Sequence, residues 1–242
     1  GLVGISAGIA VARATTLAAI RIGEGVVVAG LSDGVDAARV EINAERSDVL
    51  QAEVLNVAAG VAGVGVVVVD ATIAGATRVA FSGTAVDTAR ISATQVEIGL
   101  LDKTGAYVTG EGAAGGILAG VNAVVITGRN QAGTELDLQH VNIDASELSL
   151  QAISEAEAHA EARGVAVSAG VSVGASVARA RLDSTMRTEI TGGTITAGYI
   201  SINTELRARF ADVVKVAEGE DKDTKLVDIR SPAEYKGEVI AP

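Results

Sequence analysis

The chain contains no cysteine, which excludes disulfides, thiolate metal centres and cysteine nucleophiles together. Tryptophan is absent, methionine occurs once (Met186), and aromatic residues make up 2% of the chain. A core in a chain of 242 residues ordinarily takes much of its volume from large aromatic side chains. Here Val, Ala, Ile and Leu must fill it, which suits thin, regular layers better than a thick core. Basic residues are scarce as well: 19 Lys and Arg stand against 30 Asp and Glu, a formal charge of −11. That balance argues against nucleic acid or an anionic membrane surface as a partner, since both need clustered cations. Long apolar runs are also missing. The richest, near Val61–Val69 and Val165–Val177, are short and diluted with Gly and Ser, whereas a spanning helix needs about 20 predominantly apolar residues. The 29 glycines follow no Gly-X-Y period, which excludes collagen.

What is present is alternation. From Val165 to Arg181 the residues Val165, Val167, Ala169, Val171, Val173, Ala175 and Val177 point one way, and Ala, Ser and Gly point the other. Looser copies occur three times earlier. Val40-Glu-Ile, Val96-Glu-Ile, Leu148-Ser-Leu and Ile200-Ser-Ile are separated by 56, 52 and 52 residues. A second anchor, the glycines Gly8, Gly65, Gly120 and Gly174, gives 57, 55 and 54. The two anchors agree on a repeat of ~54 residues in roughly four copies.

Each copy reads as three strands: a polar alternating one (200–210), the Gly/Ala/Val one, and a shorter one with a glycine turn (188–197 or 19–28). The segment Leu31–Arg39 reads as an insertion turning at Asp33-Gly34. Glu155–Arg163 is made of good helix formers, yet its strict alternation predicts a strand, because a helix would spread its Ala residues round the whole circumference. The length allows one long β domain or two ordinary ones. One copy cannot bury its apolar face alone, so stacking of equivalent strands about 4.8 Å apart is expected. At about 18–25 residues per level, a ~54-residue copy would supply two or three levels. The competing architecture is an antiparallel sandwich. The expected fold class is therefore all-β: a right-handed parallel β-helix or β-solenoid of ~54-residue repeats with a small non-repeat C-terminal tail.

The pattern stops near Val213. Both prolines (Pro232, Pro242) and four of the five lysines lie beyond it. Glu218–Thr224 is a charged, loop-like run, Lys225–Ile229 a short strand, and Ser231-Pro232 an N-cap with proline opening a helix. The expected division is 1–213 as the repeat region and 214–242 as the tail. The chain begins at Gly1 with no basic leader, so it reads as a piece of a longer protein.

On the strand Gly170–Ala178 and the following Arg187-Thr-Glu-Ile-Thr-Gly-Gly193, residues 1–213 resemble the repeat region of large bacterial filamentous-haemagglutinin or leukotoxin-like surface adhesins. The resemblance implies export to the cell surface or medium, association with the outer membrane, and a stalk-like or binding role without catalysis. It transfers no binding residue. The stretch Leu226-Val-Asp-Ile-Arg-Ser-Pro-Ala-Glu-Tyr-Lys-Gly237, with Glu238–Pro242, is similar to the opening of the second module of a rhodanese-type sulfurtransferase; that likeness reaches back toward Arg207. The family's persulfide chemistry needs a cysteine, so Asp228 and Arg230, which match supporting positions of that motif, have nothing to support.

Candidate chemistry in the repeats is thin. His159 shares a strand face with Glu157 and Glu161, two carboxylates about one imidazole, where a metal site normally takes three or four ligands. His140 has no evident partner. Calcium nonapeptides and EF-hand loops are absent, the acidic run Glu218–Asp223 reads as a linker, and Gly110–Gly116 reads as a turn rather than a phosphate loop. Asp137, Asp144 and Glu147 are the carboxylates a β-helix glycosidase would need, and Thr188, Thr191, Thr194 and Thr196 the candidate threonine ladder. No catalytic, cofactor-binding or metal residue is assigned, and no cofactor is implied. The reading is a structural and adhesive segment, not an enzyme, contacting glycans or proteins of host or neighbouring cells and associating end to end. The alternatives are part of a sulfurtransferase fusion, inactive without a cysteine, and a β-helix carbohydrate-binding or carbohydrate-active domain.

Overall fold

The computed structural model describes residues 2–29 and 39–216. The insertion over 31–38 and the tail from 217 onward, with Glu218–Asp223, Asp228 and Arg230, lie outside the described residues. The strands are β1 (Val3–Ile22), β2 (Val27–Ala29), β3 (Arg39–Ser82), β4 (Ala89–Ser168), β5 (Val171–Leu182) and β6 (Thr185–Val216), and no helix occurs among the described residues. Every pairing is parallel: β1 with β3, β2 with β4, β3 with β4, and β4 with both β5 and β6. The sheet does not close into a barrel. Parallel pairing removes the antiparallel sandwich and bears out the all-β, parallel expectation.

The spacing is set by register. Val3 pairs with Ala62, 59 residues on; Val40 with Val96, 56 on; Val121 with Val173 and Leu148 with Ile200, each 52 on. The chain thus meets itself once per copy, not two or three times. The reason lies inside β4, which is 80 residues long. Laid straight it would span about 260 Å at 3.3 Å per residue, yet Asn122 Nδ2 donates to Gly112 O (2.9 Å), and Asn130 Nδ2 to both Thr104 O (3.0 Å) and Glu157 O (3.2 Å). β4 therefore folds back on itself twice, near 117 and near 142. The same reversal in β3 coincides with the register shift between Gly60 and Ala62. Each pass divides between two facing layers: 39–60, 95–116, 147–168 and 199–216 in one, 3–22, 62–82, 119–139 and 171–191 in the other.

The first sequence anchor is a true column of the structure, since Val40 pairs with Val96 and Leu148 with Ile200. The second is off by two residues. Ser6 pairs with Gly65, Gly63 with Gly120 and Asn122 with Gly174. A slip of two leaves every side chain on the same face, so alternation cannot detect it.

The space between the layers is graded along the strands. At one end lies a core of Phe81, Ile91, Ile98, Leu136, Leu138, Ile143, Leu148 and Leu150. A second core of Val67, Val69, Val108, Val124 and Ile126, closed by Ala52, Ala160 and Ala162, lies further along. Beyond it the interior is glycine. A Cβ on Gly63 would fall 2.4 Å from Gly115 O, and one on Gly120 2.8 Å from Val167 O, so the two backbones nearly touch. The Val/Ala/Gly strands therefore turn their tiny face inward, as close approach of a second layer requires. Their outward residues Val66, Val68 and Val121 point to solvent, while Val67, Val69 and Val124 face inward in the second core.

Candidate functional site

Between the two apolar cores runs a belt of buried polar side chains. Arg46 donates through Nε and Nη2 to the two carboxylate oxygens of Asp102 (2.6 and 3.0 Å). Thr77 Oγ1 donates to one of those oxygens at 3.0 Å and Thr134 Oγ1 to the other at 3.4 Å. The remaining Arg46 nitrogen, Nη1, reaches Thr16 O at 3.1 Å and Ala74 O at 3.5 Å. Arg46 and Asp102 stand in one column, 56 residues apart and directly paired. A planar guanidinium meets a carboxylate two bonds at a time, which fixes register as well as charge. With Asp102 wholly buried and its oxygens occupied, the pair has no solvent face on which to act as acid or base. It clamps β1, β3 and β4 together.

Asparagines do the same work nearer the thin end. Asn56 Nδ2 donates to Ser6 O (3.1 Å) and Val66 O (3.0 Å), and Asn122 and Asn130 bridge the layers by the bonds already given. Each joins a side-chain amide of one layer to a backbone carbonyl of the facing layer. Sequence alternation places these residues inward but does not show that they meet across the interior; only the position of the reversals does that.

The outer face of the first layer carries charge ladders. Arg207 bridges Glu155 on the adjacent strand (2.7 Å), Lys103 approaches Glu155 from the other side (3.7 Å), and Arg163 joins Glu111 (2.8 Å). Opposite charges on neighbouring strands favour the observed register, each by a fraction of a kcal/mol at most when exposed (about 0.2–1). Hydrogen bonds from Arg207 hold the Glu205 carboxyl below its usual range, and bonds to Glu205 and Glu155 raise the Arg207 guanidinium further. Tyr107 donates to Glu157, and this bond, with partial burial, raises the phenol above its usual value.

The candidates from sequence are not gathered into a site. His159 stands beside Tyr107, ring centroids 6.4 Å apart, with Nε2 3.9 Å from Glu161. Among the described residues no group of three or more His, Asp and Glu is placed to hold a metal. Ala156, Ala158, Ala160 and Ala162 are buried on the opposite side of that strand, as its alternation predicts. His140 sits at a reversal with φ 48°, against Gly192, whose own φ is 69°. Alternation gives no hint of this, because a single left-handed residue leaves the apolar pattern on either side intact. Gly110 and Gly112 are strand residues facing Ile126 and Asn122, and the reversal comes only after Gly116. Asp137 is buried against Arg78, Asp144 is exposed, and Glu147 accepts from Gln95 at 3.0 Å, so the three carboxylates do not converge. Of the threonines, Thr188 is half-buried while Thr191, Thr194 and Thr196 are exposed.

One shallow groove of about 140 Å³ lies among Arg39, Gln95, Val96, Glu97, Glu147 and Ser149. Ligand pockets run to about 300–1,000 Å³, and Arg39 already pairs with Glu97 and Glu41 there. Among the described residues no helix is long and apolar enough to cross a membrane. No protein-family model matches the chain, and no curated protein or solved structure does.

Proposed function

We propose that residues 1–213 form a right-handed parallel β-solenoid of ~54-residue repeats, serving as a stalk-like, adhesive segment of a bacterial surface or secreted adhesin, with 214–242 a separate tail. The observation that carries this reading is the register: the long strands lie parallel on strands 52 to 59 residues away, side chain over side chain. Stacking of that kind makes a rod, and contact with host or neighbouring cells then comes from repetition of faces along it rather than from one pocket. The shallow groove and the satisfied buried ion pair favour a structural part over a catalyst. β6 continues to Val216, three residues past the proposed boundary, still paired with β4.

Two measurements test it. Immobilised glycans, matrix proteins and host-cell monolayers should retain the chain saturably; retention on none of them rejects the adhesive role. A sulfurtransferase assay with thiosulfate and cyanide should be blank, and measurable transfer would move the function to the tail.

A further inference from the structure

Outward residues of the second layer fall into columns across β1, β3, β4 and β5. One column is Ile5, Val64, Val121, Val173; the next Ala7, Val66, Ala123, Ala175; the next Ile9, Val68, Val125, Val177. The column before them is Val3, Ala62, Ala119, Val171. None holds a charge, and the large members stand in solvent: Ile5 is 77% exposed, Ile9 72%, and even Val121 and Val125 on an inner strand 38% and 40%. The profile is a ridge of Ile and Val, a furrow that is mostly Ala, and a second ridge, with Ala62 and Ala119 hollowing the middle of the outermost column.

We propose that this face pairs two copies of the chain side by side, related by a two-fold axis parallel to the direction in which the strands stack. Such an axis keeps strands at equal levels and reverses their direction. It sets the Ile5 ridge of one copy into the Ala7 furrow of the other, and the Ile9 ridge over the Ala62–Ala119 hollow. Sheets packed face to face interdigitate in this way, about 10 Å apart. The arginines fit the same arrangement. The column next to the Ile9 ridge is Val11, Asp70, Thr127 and Arg179, and the one after it is Arg13, Thr72, Arg129 and Arg181; none of these four arginines makes an ion pair among the described residues. Under the two-fold these outer columns lie beyond the partner's reversals near Val61 and Ile117, so the arginines are not carried into the apolar contact. Each copy contributes roughly 500 Å², from about 26 Å along the strands and about 19 Å across them. A standard interface takes about 800 Å² per partner, so the association is weak for these four levels, and each further level adds to it. An anionic bilayer is the less fitting occupant, given the charge of −11. The inference uses the registers alone and is independent of the adhesive role.

Sedimentation velocity of the 242-residue chain, from about 1 to about 100 μM, tests it. The wild type should move from monomer toward dimer and stop there. Val121→Glu, and separately Ile9→Lys on the edge strand, should remain monomeric at every concentration with unchanged circular dichroism. Val86→Glu, which adds the same charge at a fully exposed turn position, should dimerise as the wild type does. A wild type monomeric throughout overturns the proposal, and so does a Val121→Glu dimer as strong as wild type. Open-ended growth indifferent to both face substitutions assigns self-association to the strand edges instead. Flotation with anionic vesicles, lost in Val121→Glu without any dimer in solution, gives the face to lipid.

Discussion

Replacing Arg46 by Met should be among the most destabilising single changes in the chain. Arg46 is 5% exposed and Asp102 fully buried, and the substitution leaves the carboxylate with two threonine hydroxyls and no counter-charge. Breaking a buried pair by removing one partner costs about 3–5 kcal/mol, because the stranded charge has lost water and gained nothing. Urea unfolding followed by the circular dichroism of the sheet reads this directly. With a slope of about 2–3 kcal/mol per molar for a chain of this size, the midpoint should fall by roughly 1–2 M. The double variant Arg46→Met/Asp102→Leu should recover most of the loss, since an apolar pair of similar volume is often as stable as the bridge it replaces. Arg163→Ala, which removes an exposed partner of Glu111, should cost under about 1 kcal/mol. If Arg46→Met costs no more than Arg163→Ala, the belt is not the clamp described. If the double variant is no better than the single, the geometry of the bridge matters more than its charge balance.

The thin end offers a matched pair. Gly63→Ala brings a Cβ to 2.4 Å from Gly115 O and should cost about 1–3 kcal/mol as overpacking, while Gly115→Ala meets nothing within 4 Å and should be near neutral on the same urea curve. Tyr107 gives a pH readout. Its raised phenol binds its proton more tightly folded than unfolded, so the contribution is intact below pH ~10 and is lost as pH rises through the folded value. Absorbance at the phenolate band should show one tyrosine titrating late, and Tyr107→Phe should abolish that late step; an unchanged titration would remove the Glu157 bond from the account.

Strand identity was legible in the sequence because period two survives at almost every position, even in the helix-prone run Glu155–Arg163. The Val40–Ile200 column was legible for the same reason, being a large apolar residue at each level. Three things were not. Glycine spacing misplaced the second register by two residues, a slip invisible to alternation. The number of levels per copy depended on where the strand reverses, and neither His140 nor the Gly116–Ala119 corner carries the Asn-Gly or Pro-Gly signature of a turn. The break in the run Val165–Val177 was also hidden: β4 ends at Ser168 and β5 begins at Val171, so one unbroken alternation divides between the two layers.

The outward turn of the Val and Ile residues at the thin end follows from the taper of the interior. Where the layers stand apart, as around Phe81 and Leu148, a large inward side chain fills space and an outward one is charged or polar. Where they close to backbone contact at Gly63 and Gly120, an inward side chain has no room, so apolar area can go only outward. Keeping the strands together there falls to Asn56 and Asn122, whose bonds to carbonyls across the gap stand in for packing. The face displaced outward is uncharged across four strands while its neighbours carry ladders of Arg, Glu and Lys. A surface whose only duty was solubility would place charges there too, as the outer face of the first layer does with Glu111, Glu155 and Arg163. The outer face of the first layer also exposes Leu55, Val57 and Val167, but Leu55 shares its column with Glu111, which Arg163 bridges. The second layer instead runs four adjacent uncharged columns from Val3 to Ile9, and that difference supports the proposed pairing.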